Sequence, residues 1–182
     1  SLTGMTGELG SAVTGSPNLN LGNATFPAGH ILQTKQSVMS TKLIIASAAY
    51  VDILSCSITP ASSGNKILIN FSINAGSAGG GEGLHLQIER GGTAITGAIG
   101  DARGSRLRAT TVVGPAPDDN GMYCGSGTFL DSPSTTSSVT YQIAGHSYSS
   151  NHPVNINCTG NDTDSTNYST SISMLTLHEI QG

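Results

Sequence analysis

The strictest alternation of apolar and polar side chains in this sequence lies between residues 66 and 90. Successive side chains of an extended strand point to opposite faces, so every second residue shares a face. In the first half of the stretch, the apolar face holds Ile67, Ile69, Phe71 and Ile73. After the glycine-rich residues 76–83, it holds Leu84, Leu86 and Ile88. Helical spacing would scatter these side chains, so the pattern predicts two half-buried β-strands joined by a loop.

Short alternating runs separated by turn-forming residues continue from His30 to the end of the chain. Further strands are predicted at residues 30–36, 50–59, 94–98, 106–113, 122–130, 138–147, 153–159 and 168–180. A tight hairpin is predicted at Arg90-Gly91-Gly92-Thr93. Residues 41–50 are alanine-rich but have no apolar stripe, so no helix is expected. Many short strands without helices indicate an all-β fold, an antiparallel β-sandwich of two packed sheets.

The first 29 residues differ from the rest of the chain. They contain five glycines before residue 23, two prolines, and apolar residues without a sustained period. Such a segment buries little of itself, so we predict that residues 1–29 form an extended linker or an oligomerisation strap. Leu19, Leu21 and Phe26 favour a strap that lies against other subunits. Residues 30–182 are then the single sandwich domain.

Composition excludes several classes of partner. Only 10% of the residues are charged, against about 25% in an average domain, so hydroxyls and amides dominate the surface. A net charge of −4 provides no basic footprint for a phosphate backbone, and we expect no nucleic-acid partner. No apolar run approaches the roughly 20 residues of a membrane helix, so no membrane insertion is expected.

The three cysteines cannot all pair within one chain. Cys56 alternates in step with Leu54 and Ile58, and Cys158 with Ile156. Both are therefore predicted to be buried free thiols, with a disulfide as the alternative. Their spacing does not fit a zinc site.

Four stretches resemble a known group of proteins. A Gly/Asn-rich lead ends in residues 26–33 and runs directly into a strand, followed by residues 65–69, 86–92 and the last strand at 174–180. This arrangement is similar to the head domains of bacteriophage tail-fibre and virion structural proteins, over about residues 22–182. The resemblance implies a jelly-roll or related β-sandwich that forms a homotrimer and displays loops toward a bacterial surface. It carries over no catalytic residue.

The function implied by this resemblance is host attachment by a non-enzymatic structural protein of the virion, the head of a tail fibre. Its partners would be a bacterial surface glycan or protein, and other virion proteins through the N-terminal segment. A capsid decoration protein is one alternative, so the location is a tail fibre or the capsid surface. A polysaccharide depolymerase is the other. We expect no enzyme, because the few carboxylates lie mostly in predicted loops and no Gly-x-Ser-x-Gly motif is present.

Receptor contacts are expected in loops, where binding residues of a sandwich usually lie. Glycan recognition combines hydrogen bonds with an aromatic platform, which must be Tyr or Phe in a chain without Trp. Two loops supply the candidate receptor-binding residues, which are His146, Tyr148, Asn151 and His152 at one tip and Asp118, Asp119 and Tyr123 in the other loop. The alternative for the two tyrosines is that they pack at sheet edges.

We expect no cofactor and no metal site. Two alternatives involving metal remain open, a site between His146 and His152, and a calcium loop at residues 161–167. That loop offers oxygen ligands at alternating positions but lacks the Gly and the distal Glu of an EF-hand. Arg103, Arg106 and Arg108 are either solvated or bind an acidic sugar, with Arg106 and Arg108 expected on one strand face.

Overall fold

A computed structural model describes residues 26–77, 83–114 and 120–182. Within these residues the chain forms eleven β-strands and a 3₁₀-helix of three residues at Thr96–Ala98. The strands are β1 (Ile31–Met39), β2 (Leu43–Ile45), β3 (Val51–Ile58), β4 (Lys66–Ser77), β5 (Leu84–Arg90), β6 (Thr93–Ala94), β7 (Thr111–Val113), β8 (Tyr123–Asp131), β9 (Val139–His146), β10 (Val154–Ile156) and β11 (Ser173–Ile180).

The strands form two antiparallel sheets that pack face to face. The front sheet runs β8-β4-β11-β1, and β10 and β2 extend it beside the last part of β4. The back sheet runs β3-β9-β5, and both β6 and β7 pair with the far edge of β5. The expected all-β sandwich is confirmed.

The core lies between the sheets and includes the side chains that the alternation of β4 and β5 predicted. Ile69 and Leu86 are fully buried, and Phe71 is nearly so. Gly125 and Gly127 also face this core in regular register with β4. A Cβ on Gly127 would lie 2.7 Å from the Phe71 ring, so glycine is what makes room for that ring. β8 therefore runs without irregularity through Gly125-Ser126-Gly127.

The tightest predicted turn is confirmed. Arg90 pairs with Thr93 across Gly91 and Gly92, whose φ angles of 59° and 75° are those of a two-residue hairpin loop. The buried thiols are also confirmed, because Cys56 and Cys158 are both buried and free, while Cys124 is exposed.

Several predicted strands are wrong in extent. Residues 43–45 form a short strand that was missed. Of the strands predicted at residues 94–98 and 106–113, only Thr93–Ala94 and Thr111–Val113 are observed. Residues 95–110 between them form a connection that bonds to the edge of the back sheet. The last strand begins only at Ser173, after a long loop. In each case tertiary hydrogen bonds hold a segment whose own sequence has no clear period.

The sandwich has two ends, which we call the base and the tip. At the base, β4 begins beside Ile180 and Asp131, and at the tip Ala75 lies beside Tyr123. Eight residues of β4 separate them, about 26 Å at ~3.3 Å per residue. The described chain enters at the base, where the Gly29 N–H donates to the Gln181 carbonyl at 2.8 Å. Residues 1–25 of the predicted strap lie outside the described residues.

Candidate binding surface at the tip

A compact turn at residues 147–152 presents an aromatic side chain at the tip. Tyr148 is exposed, and its ring meets His152 edge to face, with centroids 5.5 Å apart. Ser149 fixes the turn, because its Oγ lies 2.9 Å from His152 Nδ1 and accepts from the Asn151 N–H at 3.2 Å. The His152 N–H also donates to the Ser149 carbonyl at 3.1 Å. Three predicted site residues, Tyr148, Asn151 and His152, therefore form one ordered turn.

His146 does not belong to this exposed turn. It is the last residue of β9, on the outer side of the back sheet, and is only 6% exposed. The Tyr50 ring lies over it with centroids 5.3 Å apart, and His85 approaches it at 6.0 Å. The expectation that His146 is an exposed tip residue is wrong, because β9 extends to it and Tyr50 covers it.

The second predicted loop is described only in part. Tyr123, the first residue of β8, is exposed at the tip. Asp118 and Asp119 lie outside the described residues. The structure thus brings one more predicted side chain, Tyr123, to the same end of the sandwich as Tyr148. The sheet-edge alternative does not apply to Tyr148, because its ring projects from a turn.

A cleft under the loop after β10 is a feature that the sequence did not reveal. Its volume is about 330 Å³, and eight of the nine residues that line it carry a hydroxyl or a carboxylate. Its lining residues are Cys158, Thr159, Asp162, Thr163, Asp164, Ser165, Tyr168, Ser169 and Thr170. A bridge between Cys158 and Thr170 closes the loop at its root. In sequence the loop looked only like a polar turn, because that pairing joins residues twelve positions apart.

Asn157 anchors the loop to the front sheet. It is buried with a positive φ of 62°, a conformation that Asn tolerates better than most residues. Its Nδ2 donates to the carbonyls of Met39 and Thr41 at 2.9 and 3.1 Å, and its Oδ1 accepts from the Ser173 hydroxyl at 2.6 Å. Below the loop, a Cβ on Gly76 would lie 2.6 Å from the Gly160 nitrogen. The backbone around the cleft is therefore tightly fixed.

Asp162 is the most constrained charge in the cleft. Lys42 Nζ donates to its Oδ2 at 2.8 Å and the Cys158 thiol to its Oδ1 at 3.1 Å. These two bonds, the one from Lys42 first, hold the pKa of Asp162 below its ordinary value. Burial, followed by the bond to Asp162, raises the pKa of the Cys158 thiol. Cys158 therefore stays protonated and is a poor nucleophile.

Neither metal alternative gains support from the geometry. His146 is buried in the back sheet while His152 lies in the turn, and both oxygens of Asp162 are already hydrogen-bonded. Asn161 is also engaged, because its side chain bonds to Thr163 and to the Tyr168 hydroxyl. Across residues 26–77, 83–114 and 120–182, no three His, Cys, Asp or Glu side chains gather as metal ligands would.

Two carboxylates at the base have structural partners. Asp131 accepts from Arg90 Nη1 at 2.8 Å and from the Tyr141 hydroxyl at 2.7 Å. Burial, and then the bond to Asp131, raises the pKa of Tyr141 strongly. Glu179 is fully buried and accepts bonds from Gln33 and Asn65, both at 2.6 Å. These carboxylates stabilise the fold and face no open cleft at the tip.

Arg106 and Arg108 do not share the expected strand face, because residues 103–108 are not a strand. Arg108 is held in place by a bond from its Nε to the Gly100 carbonyl at 2.6 Å. Arg103 and Arg106 are exposed. The solvated interpretation fits them, and an acidic-sugar site remains a prediction.

Comparison with known proteins gives no family. No protein-family model matches the chain, and no curated protein matches it. In the part of the chain that the structure describes, no helix is long and apolar enough to cross a membrane.

Proposed function

We propose that this chain is a non-enzymatic attachment head of a bacteriophage virion, the end of a tail fibre, and that it binds its host receptor through the tip. The observation that carries the proposal is the separation of the two ends. The chain enters at the base, beside Gln181, whereas the Tyr148 turn and the hydroxyl-lined cleft both lie toward the tip. A fibre head needs this arrangement, with the stalk at one end and the receptor surface at the other.

The strand pairing supports a jelly-roll form of the sandwich. β1 pairs with β11, β3 with β9, β4 with β8, and β5 with β7. The first half of the chain thus runs antiparallel to the second half, as one ribbon folded across two sheets. Nested pairing of eight strands in two sheets is the topology of a jelly roll. In a homotrimer, residues 1–29 would reach other virion proteins.

The chemistry of the tip favours a neutral glycan as the receptor. Hydroxyls of Thr, Ser and Tyr line the cleft and match the hydroxyls of a sugar as donors and acceptors. Asp162 and Asp164 share that cleft, so a sugar that carries a carboxylate would meet like charge there. Tyr148 offers the exposed ring on which a sugar face can lie.

The test uses a double substitution in the turn. Tyr148→Ala with His152→Ala removes the aromatic pair but leaves the buried His146 in place. We expect at least about ten-fold weaker binding to host cells and to their purified surface polysaccharide, equal to ~1.4 kcal/mol or more. Thr93→Ala with Thr136→Ala, two exposed residues at the base, is the matched control and should bind normally.

Three outcomes would contradict the proposal. If the folded double variant binds as tightly as the parent, the turn is not the site. If the parent protein releases oligosaccharides from the polysaccharide, the chain is a depolymerase. If particle images place the chain on capsid faces and it binds no host polysaccharide, it is a decoration protein.

A further inference from the structure

Apart from Lys66 at its base end, the outer face of the front sheet carries no Asp, Glu, Lys or Arg side chain. Side chains that pair across the strands share a face, so the register of β8, β4, β11 and β1 defines this surface. We call it the front face, and its residues are Thr34, Gln36, Val38, Leu68, Asn70, Ser72, Asn74, Cys124, Ser126, Thr128, Leu130, Met174, Thr176 and His178. None of them is Asp, Glu, Lys or Arg, although Lys66 borders the face at the base.

Apolar side chains occupy two spots on the front face. The register sets Leu68 beside Leu130 and Val38 beside Met174. Val38 is 52% and Leu130 is 45% exposed. The sheet alternation normally places polar residues on a solvated outer face, and two apolar pairs interrupt that pattern here. Exposed apolar patches on soluble proteins commonly mark association surfaces.

The polar side chains of the front face bond mainly to one another. Gln36 Nε2 donates to Thr176 Oγ1 at 2.9 Å, and the Thr128 hydroxyl donates to Asn70 Oδ1 at 2.8 Å. A third pair, Thr34 and His178, lies at 2.9 Å. Because these groups already have partners, covering them costs less than burying free hydroxyls and amides would.

A second copy of this chain is the partner that this surface fits. The chain has a net charge of −4, so two copies that meet through surfaces rich in the excess carboxylates repel each other, whereas a face without Asp or Glu adds no such repulsion. Four strands about 4.8 Å apart and some seven residues long span a flat area of roughly 400 Å². The accessible surface of the side chains on that area is larger. This is of the same order as the roughly 800 Å² of accessible surface that each partner of a stable complex buries.

We infer that the front face is a self-association surface, covered by another copy of the chain. The inference is compatible with the proposed homotrimer but does not depend on it, because a dimer through this face would support the inference and contradict the trimer. The receptor turn at residues 147–152 follows β9 of the back sheet. It leads into β10 at the tip, and none of its residues belongs to the front face.

The experiment compares two matched double variants of the full chain by sedimentation. V38K/L130K places two lysines on the front face. L107K/V112K places two on the back side, at residues that are 47% and 49% exposed. Each variant replaces one Val and one Leu of nearly equal exposure. We expect V38K/L130K to weaken association by about 100-fold or more, because two ammonium groups must lose their water.

The control variant should assemble like the parent. The inference is overturned if the parent is an 18.4 kDa monomer at micromolar concentration, or if a folded V38K/L130K protein assembles normally. It is also overturned if both variants lose assembly equally, since the effect would then follow charge and not the face.

Cys124 provides a second measurement that needs no variant. It is the exposed one of the three free thiols and lies on the front face, while Cys56 and Cys158 are buried. A maleimide reagent should therefore label Cys124 rapidly in dilute protein and several-fold more slowly at concentrations where the protein is assembled. An unchanged rate in the assembled protein would place the contact elsewhere.

Discussion

The two outer faces of the sandwich differ in how far their outward-pointing side chains are buried. On the back sheet, Gln87, Glu89 and Ala144 point away from the core, yet all three are buried. On the front sheet, the equivalent outward side chains, such as Val38 and Leu130, are exposed. Part of the back face is covered by the chain itself, by the Tyr50 ring over His146 and the Arg108 backbone to which Tyr50 bonds, while no described segment covers the front face.

The cover of the back face is held by hydrogen bonds to the edge of β5. The Thr110 N–H donates to the Leu86 carbonyl at 2.7 Å, and the Ile88 N–H donates to the Thr110 hydroxyl at 3.1 Å. Tyr50 spans the face and donates its hydroxyl to the Arg108 carbonyl at 2.8 Å. The connection 95–110 is therefore held at Thr110 by β5 and at Arg108 by Tyr50.

The two faces also differ in the polar groups that they carry. The back face contains a buried carboxylate, that of Glu89. Gln87 Nε2 stabilises it by donating to Glu89 Oε1 at 2.5 Å. Burial, and then the charge of Glu89, raises the pKa of Tyr50, so this hydroxyl remains a donor. The polar side chains of the front face bond mainly among themselves or to their own sheet, and no described segment lies over them. A face with so few charges is suited to a cover that arrives from another molecule.

The largest expected effect separates the inner from the outer side of the front sheet. Phe71→Ala removes a buried ring between the sheets and should lower the free energy of unfolding by about 3–5 kcal/mol. Ser72→Ala, the next residue on the same strand, changes the outer side and should stay within about 0.5 kcal/mol. Urea unfolding of dilute protein measures both. Equal effects would mean that the two sides of β4 have been assigned wrongly.

The alternation that distinguishes the inner from the outer side of β4 was visible in the sequence. The conformation of residues 95–110 was not. Strands β4 and β5 repeat with period two over enough residues to fix both type and face. The sequence of residues 95–110 shows no period. Their conformation depends instead on bonds to Leu86 and Ile88, which are distant along the chain. Strands were predicted at residues 94–98 and 106–113, where the runs are too short for alternation alone to identify a strand.

The candidate site was predictable to the extent that it depends on local sequence. Tyr148, Asn151 and His152 lie in a short turn that the sequence marks with Ser and Asn. His146 was misjudged because Tyr50, almost a hundred residues earlier, covers it. The cleft was missed because it exists only when Cys158 pairs with Thr170. Contacts between distant residues decided both cases.

Glu179 and His178 extend the comparison to two adjacent residues on opposite sides of β11. Burial alone would raise the pKa of Glu179, but bonds from Asn65, Gln33 and the Ala61 and Ser62 backbone outweigh it and lower that pKa below its ordinary 4.5. Because the folded pKa is depressed, its contribution to stability is present above about pH 4.5 and is lost as pH falls through the folded value.

Glu179→Gln should therefore lower the free energy of unfolding at pH 7 by about 1–3 kcal/mol, since an amide N–H₂ would face donors. The difference from the parent should shrink in acid, as the parent loses the same contribution. His178→Gln, on the outer side, is the control and should leave the acid limb of the profile unchanged. A parallel pH profile for Glu179→Gln and the parent would show that Glu179 is not an ionised acceptor.

A smaller effect tests the cover of the back face. Tyr50→Phe keeps the ring over His146 and removes only the bond to the Arg108 carbonyl, so it should cost about 1 kcal/mol. Tyr148→Phe removes a hydroxyl from an exposed ring and should cost nothing measurable in stability. Chemical unfolding of the two variants gives the comparison directly. If both are neutral, the Tyr50 hydroxyl does not help to hold residues 95–110 in place.

The smallest expected effect belongs to the uncovered front face. Thr128→Val removes the exposed bond to Asn70 Oδ1, but water replaces it in dilute protein, so the free energy of unfolding should change by less than about 0.5 kcal/mol. That limit corresponds to about 2 °C in melting temperature for a chain of this size. At concentrations where the protein is assembled, the same substitution should lower the melting temperature further, because Asn70 is then shielded from the water that replaced its partner. A shift that is equally large at every concentration would mean that this face is not covered by a second copy.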